Sequence, residues 1–180
     1  MSILLTVLVT LFFPLAVWLG EGQIEPRFLA GFLLLAALTR LPVLKADNGA
    51  RWWSGGTVLL FALAVWGNAL LPLKLYPVLV NATLLGAFGY SLIYPPSMIE
   101  RLARIREPEL PAPAIAYTRQ VTQVWCVFFG VNGAIALWTA LWASAAVWSL
   151  YNGVIAYLLM GLLLAGEYCV RWNFKRGHHV

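Results

Sequence analysis

Charged residues are scarce in this 180-residue chain, at only 11%, whereas 62% of the residues are hydrophobic. Soluble domains average about a quarter charged and about half apolar residues, so this composition excludes an ordinary soluble domain. A helix needs roughly 20 apolar residues to cross about 30 Å of hydrocarbon. The chain has six such runs and little sequence left over, so we predict one transmembrane domain over residues 1–180.

Cysteine and catalytic motifs are also nearly absent. Cys126 and Cys169 both fall toward predicted cytoplasmic helix ends, where thiols stay reduced, so a disulfide framework is not expected. The sequence has no G-x-S-x-G, H-E-x-x-H or P-loop motif, which leaves hydrolysis, metal chemistry and ATP use without support. We predict no cofactor and no metal site. The net charge of +5 forms no basic patch beyond helix ends and loops, so nucleic acid is not an expected partner.

The six apolar runs predict an all-α integral membrane bundle of six transmembrane helices. Only Lys74 and its neighbours separate the third run from the fourth, so we expect a tight hairpin turn there, bracketed by Pro72 and Pro77. The predicted spans cover about residues 3–19, 27–44, 57–73, 75–94, 118–142 and 146–168.

The polar segment between Pro95 and Gln120 predicts a short amphipathic helix between the fourth and fifth spans. Ser97 followed by Glu100 forms a capping-box pattern at its start. We expect this helix to lie in the cytoplasmic headgroup plane with its apolar side down. The expected apolar face consists of Met98, Ile99, Leu102 and Ile105, and the charged face consists of Glu100, Arg101 and Arg104.

The distribution of positive charge predicts the orientation. With the N-terminus inside, the cytoplasmic side holds all 12 Lys and Arg residues except Arg27 and Lys74. Because positive residues concentrate on the cytoplasmic side, we predict that both termini are cytoplasmic. Tryptophans are expected at the two membrane interfaces, among them Trp148 at the outer one and Trp125 at the inner one.

Asparagines inside the predicted spans are the first candidate ligand-binding residues. A buried asparagine needs a partner, and neighbouring glycines allow helices to approach closely enough to provide one. We favour hydrogen bonding between helices, with a polar ligand cavity that opens outward as the alternative. The four asparagines are Asn68, Asn81, Asn132 and Asn152.

Glu167 is the one acidic residue within a predicted span, which makes it a weak catalytic candidate. Arg171 lies one helical turn away, and we favour an ion pair between them over catalysis.

Polar residues near the start of the fifth span can bind a phosphate-bearing headgroup or a partner protein, because arginine offers a bidentate donor fork. Ordinary anchoring to anionic lipid is the favoured alternative. The candidates for this contact are Arg101, Arg104, Tyr117, Arg119 and Gln123.

Glycines are expected to supply the close helix packing, since lipid provides no hydrophobic drive for helices to associate. The glycines concerned include Gly86, Gly89, Gly130, Gly133, Gly153 and Gly161.

Three segments resemble a family of uncharacterised bacterial inner-membrane proteins; the first half of the chain matches by hydropathy alone. Members of that family tend to be encoded with fatty-acid-synthase-like enzymes, acyltransferases and lipid exporters of aryl-polyene clusters. The resemblance implies an inner-membrane location and a role in making or moving an acyl or aryl-polyene lipid, and it assigns no catalytic residue. The segments are YPPSMIERLARIREPELP (Tyr94–Pro111), YTRQVTQVWCVFFGVNGAIALWTA (Tyr117–Ala140) and WSLYNGVIAYLLMGLLLAGEYCVR (Trp148–Arg171).

The leading hypothesis is a non-catalytic membrane subunit that supports synthesis or export of such a lipid. Its expected partners are membrane lipid and either acyl-chain biosynthesis enzymes or a lipid exporter. One alternative is a small transporter or flippase that uses the asparagines. Another is an intramembrane acyl or headgroup transferase that uses Glu167. A homo-oligomer is compatible with a unit of this size.

Overall fold

The computed structural model describes Pro14, Phe28, Gly31 and residues 70–178, with side chains only as far as Trp172. All regular structure in these residues is helical. Three helices are long and apolar enough to cross a membrane, namely Leu71–Ile93, Ala112–Trp142 and Ala145–Trp172. The prediction of an all-helical fold is therefore confirmed for this part of the chain, and its three long apolar helices are consistent with a membrane protein.

The predicted spans 3–19 and 27–44, and nearly all of 57–73, lie outside the described residues. The number of six spans therefore stays a prediction. The helices in the described part are α1 (Leu71–Lys74), α2 (Tyr76–Ile93), α3 (Met98–Arg104), α4 (Ala112–Trp142), α5 (Ala145–Leu150), a π-helix (Tyr151–Ile155) and α6 (Ala156–His178).

The chain does not reverse at Lys74, where the sequence predicts a turn. Helical hydrogen bonds run across this position, from the Leu75 N–H to the Leu71 carbonyl at 3.1 Å and from the Leu79 N–H to the Leu75 carbonyl at 3.0 Å. Pro72 lies in the first turn of α1, where backbone N–H groups have no helical acceptor. The N–H that proline lacks therefore costs the helix no hydrogen bond. The two prolines are thus accommodated within one nearly continuous helix rather than around a hairpin.

Helix α4 lies at the centre, with α2 and α6 antiparallel to it. Its apolar core consists of Val121, Trp125 and Phe129, which pack against Phe88 of α2. The ring centroids of Phe88 and Phe129 are 5.2 Å apart in an edge-to-face arrangement that aromatic quadrupoles favour. The antiparallel order brings the C-terminal end of α2 and the N-terminal end of α4 to the same end of the bundle.

Two buried hydroxyl groups attach the start of α3 to its neighbours. The Ser91 hydroxyl of α2 accepts from the Met98 N–H at 2.8 Å, and the Thr122 hydroxyl of α4 accepts from the Ile99 N–H at 3.3 Å. These bonds satisfy N–H groups that the first turn of a helix leaves without a helical partner. Helix α3 is therefore held across the ends of α2 and α4, and its depth in the headgroup plane stays a prediction.

One residue of the predicted charged face of α3 is buried within the protein. Glu100, expected on the charged outer side, is buried, whereas Leu102 and Ile105 are 54% and 78% exposed. The Glu100 carboxylate can be buried because it accepts from the Ser97 N–H at 3.3 Å and pairs with Arg104 at 2.8 Å. The hydrogen bond from the Ser97 N–H to the Glu100 carboxylate, one of the two bonds of the predicted capping box, is thus present. The apolar side chains of Leu102 and Ile105 remain exposed.

Trp125 and Trp148, expected at the two membrane interfaces, are both buried within the protein, and their depth in the membrane stays a prediction. Trp125 is 7% exposed within the α4 core, and Trp148 is completely buried. The Trp148 indole N–H donates to the Lys74 carbonyl at 3.1 Å, which connects α5 to α1. Both side chains therefore take part in helix packing.

Close packing involves fewer glycines than expected. A Cβ atom added at Gly133 would lie 3.1 Å from the Asn81 Cβ, and one at Gly153 would lie 3.3 Å from the Pro14 Cβ. Added Cβ atoms at Gly86, Gly89 and Gly161 would meet no atom of the described residues within 4 Å. The contact of Gly133 with Asn81 thus belongs to the α2–α4 packing, whereas Gly86, Gly89 and Gly161 make no such contact with the described part of the chain.

We expect Gly133→Leu to destabilise the protein, because the larger side chain must push α2 away from α4. Overpacking of this kind costs about 1–3 kcal/mol. Thermal unfolding in mild detergent measures the effect as a lower melting temperature. Gly86→Leu is the matched control, since a Cβ atom added there meets no atom of the described residues within 4 Å. Equal melting temperatures for Gly133→Leu and the unmodified protein would contradict the packing described here.

Candidate functional site

A chain of hydrogen bonds joins three helical segments inside the bundle. The Tyr151 hydroxyl of the π-helix donates to Asn132 Oδ1 at 2.8 Å, and Asn132 Nδ2 donates to Asn81 Oδ1 of α2 at 3.0 Å. Asn81 Nδ2 then donates to the Pro77 carbonyl at 2.8 Å. Asn81 and Asn132 are both buried. These two asparagines therefore bind to each other and to the helices around them.

Asn152 belongs to a separate buried contact. Its Nδ2 donates to the Thr139 hydroxyl at 3.2 Å and to the Trp148 carbonyl at 2.9 Å, which ties the π-helix to α4 and α5. Asn68 lies outside the described residues. In the described part of the chain, the geometry of the other three asparagines matches the favoured interpretation, hydrogen bonding between helices.

A cavity of about 850 Å³ lies at the other end of the bundle, between α2, α3, α4 and α6. Its volume is within the range of about 300–1,000 Å³ that is usual for ligand pockets. The apolar lining residues are Leu84, Phe88, Ile99, Leu102, Ala103, Ile105, Leu110, Pro111, Pro113, Ala114, Trp125, Phe129 and Leu164. The polar lining residues are Arg106, Glu107, Tyr117, Thr118, Glu167 and Arg171.

The inner end of the cavity is aromatic. Phe88, Trp125 and Phe129 line it, and the ring centroids of Trp125 and Phe129 are 5.5 Å apart. These rings also belong to the core that joins α2 to α4, so their positions are set by helix packing. The inner end is therefore a rigid apolar surface.

The outer end of the cavity contains Glu167, the acidic residue predicted within the last span. Glu167 Oε1 lies 3.3 Å from the Tyr117 hydroxyl, which donates to it, and Glu167 Oε2 lies 3.3 Å from the Arg171 guanidinium. The predicted ion pair between Glu167 and Arg171 is therefore present. The Glu167 side chain is only 14% exposed, and each of its oxygens has a partner. This arrangement joins α4 to α6 beside the cavity mouth.

Arg101 and Arg104, two of the residues predicted to contact a headgroup, form hydrogen bonds with nearby residues of their own segment. Arg101 donates to the Pro96 carbonyl at 2.8 Å. Arg104 donates to Glu100 Oε1 from two nitrogens, at 3.0 and 2.8 Å. Such paired, charge-assisted bonds are among the stronger ones in proteins. Arg101 and Arg104 thus hold α3 in place and do not line the cavity.

The other three residues predicted to contact a headgroup, Tyr117, Arg119 and Gln123, lie on different sides of α4. Tyr117 lines the cavity, whereas Arg119 and Gln123 are exposed and are not among its lining residues. The five predicted residues therefore do not form one pocket, because the side chains on α4 point in different directions around the helix.

Arg106 and Glu107 line the cavity mouth, although no pattern in the sequence indicates them as site residues. They follow α3, where the Arg106 N–H donates to the Ala103 carbonyl at 3.0 Å and closes a turn. The sequence signal available was the position of both residues just beyond an amphipathic helix and just before Pro108. That signal does not tell which way the turn faces, since the direction depends on how α3 is attached to α2 and α4.

Comparisons of the chain with protein-family models, with curated proteins and with solved structures give no match.

We expect Asn81 and Asn132 to be energetically coupled, because each loses the hydrogen bond that they share when the other is replaced by leucine. Hydrogen bonds between membrane helices average about 0.6 kcal/mol in double-mutant cycles, with a maximum of about 1.7 kcal/mol. A cycle with Asn81→Leu and Asn132→Leu, measured by denaturant unfolding in detergent, should give a coupling energy in that range. The same cycle for Asn81 and Asn152, which share no hydrogen bond, should be additive. Additivity in both cycles would refute the expected coupling.

Proposed function

We propose that this protein is a non-catalytic membrane subunit that holds the acyl chain of a lipid for proteins that make or export it. The single observation that carries the proposal is the cavity between α2, α3, α4 and α6, which is mainly apolar and has charged residues at one end. An amphiphile can place its apolar chain along the apolar part of the cavity and its polar headgroup at the charged end.

The dimensions of the cavity favour an acyl chain. From Tyr117 near the mouth to Phe129 at the inner end, α4 rises about 18 Å at ~1.5 Å per residue. Half of a hydrocarbon core of about 30 Å is about 15 Å. The cavity is therefore about as long as the acyl region of one membrane leaflet, so a lipid chain can enter it without changing its depth.

The exposed apolar residues of α3 support the same conclusion. Leu102 and Ile105 are among the most exposed aliphatic side chains beside the cavity, and both line it. Covering apolar surface is favourable by about 25 cal/mol per Å². A bound acyl chain supplies that cover where the protein itself leaves these two side chains open.

The charge distribution suggests on which side the mouth lies. Arg101, Arg104, Arg106, Arg119 and Arg171 lie toward the mouth end of the described helices, whereas Lys74 lies at the opposite end. The positive-inside rule therefore favours a cytoplasmic mouth. Enzymes that make acyl chains in the cytoplasm would then have direct access to a bound lipid.

The resemblance to proteins encoded with aryl-polyene clusters agrees with this proposal. The three segments that carry the resemblance also supply much of the cavity, including Arg106, Tyr117, Trp125 and Glu167. An acyl or aryl-polyene chain, bound at the inner membrane of a bacterium, is accordingly the ligand we propose.

A holding role fits the surroundings of Glu167 better than catalysis does. A general base must have a carboxylate oxygen within reach of the proton that it removes. Here one oxygen pairs with Arg171 and the other accepts from Tyr117. Glu167 therefore serves better to hold the cavity mouth together than to react with a ligand.

Ala114→Phe should reduce lipid binding, because Ala114 lines the cavity and the phenyl ring takes up space near its mouth. The measurement is native mass spectrometry with lipid analysis of the protein purified in mild detergent. We expect the acyl species that co-purifies with the unmodified protein to fall several-fold in the variant, with an unchanged melting temperature.

Ala116→Phe is the matched control, since Ala116 is exposed on the same helix and does not line the cavity. It should retain the lipid of the unmodified protein. The proposal fails if Ala114→Phe keeps the same lipid as Ala116→Phe, or if the unmodified protein carries only bulk lipid in the proportions of the membrane.

A further inference from the structure

Arg106 is a positive charge at the cavity mouth that the other described residues leave uncompensated. Ion pairs among these residues join Arg104 to Glu100 and Arg171 to Glu167, and neither involves Arg106. Its side chain is exposed and lines the cavity. The guanidinium is thus available to a ligand that enters between α3 and α6.

The other charged groups at the mouth have partners. Glu167 and Arg171 are 3.3 Å apart and neutralise each other. Glu107 takes part in an interaction of its own. Among the residues described, the mouth therefore has two positive and two negative side chains, and Arg106 is the one of the four whose side chain has no ion pair or hydrogen bond.

We propose that the ligand of this cavity is a long-chain carboxylic acid whose carboxylate binds Arg106 while its chain extends toward Trp125 and Phe129. This inference rests on the proposed acyl-binding function and specifies its headgroup. A guanidinium presents two parallel N–H donors that match the two oxygens of a carboxylate. Ligand and Arg106 would each neutralise the other's charge at the border between headgroups and hydrocarbon.

The charge of the site favours a carboxylate over a phosphate monoester. A phosphate monoester carries about −1.5 to −2 at neutral pH, whereas a carboxylate carries a single charge. One free guanidinium compensates the single charge of the acid. A phosphate would keep part of its charge beside Glu107 and Glu167, which also line the mouth.

The test measures binding of radiolabelled hexadecanoate and of radiolabelled hexadecanol to the delipidated full-length protein in mild detergent, at a pH where the acid is ionised. Both probes have the same chain, so their difference reports on the headgroup. Unmodified protein should bind hexadecanoate more tightly than hexadecanol. Arg106→Gln should weaken hexadecanoate binding at least about tenfold, as expected for a lost hydrogen-bonded charge contact, and leave hexadecanol binding unchanged.

Arg119→Gln is the matched control, because it removes the same charge from an exposed site on α4 that does not line the cavity. It should bind both probes like the unmodified protein. Equal loss in Arg119→Gln and Arg106→Gln would overturn the inference, since it would mean that only overall charge matters.

The outcomes separate this inference from the function on which it rests. If neither probe binds the unmodified protein, the acyl-binding function itself fails, and the inference fails with it. If both probes bind equally and Arg106→Gln changes neither, acyl binding stands and the carboxylate assignment is overturned. Tighter binding of a hexadecanoyl lysophosphatidate than of hexadecanoate would overturn it in favour of a phosphate headgroup.

Discussion

Polar side chains inside this bundle must find partners within the protein, because hydrocarbon supplies none. Asn81, Asn132 and Tyr151 meet this constraint in one chain of hydrogen bonds that crosses three helical segments. That chain places α2 and the π-helix on either side of α4 at defined heights. The aromatic contacts farther along α4, and the cavity beyond them, follow from this alignment.

The same constraint explains why a cavity exists at one end of the bundle. The hydroxyls of Ser91 and Thr122 accept from the first N–H groups of α3, and Arg104 neutralises the buried Glu100. Helix α3 is therefore attached through its N-terminal turn and its polar side. Leu102 and Ile105 are left facing the space between the helices, which produces an apolar cavity with charged residues at its mouth.

Sequence patterns located some of the site residues and misplaced others, for one physical reason. Glu167 and Arg171 were paired correctly because residues four apart on a helix lie on the same face. The position of Asn132 inside an apolar span also indicated that it needs a partner, but it did not identify Asn81 or Tyr151. Arg106 was missed because a residue in a turn has no periodic pattern to indicate which way it faces.

The sequence by itself determined the membrane class, the three long helices of the described region and the short helix between two of them, since these depend on composition and local hydrogen bonding. Tertiary structure alone decided that Glu100 is buried, that Trp148 joins α5 to α1, and that Arg106 lies at the mouth of a cavity. The reason is that burial and orientation depend on contacts between helices that are distant in the chain. The residues next to a given position in the sequence do not specify those contacts.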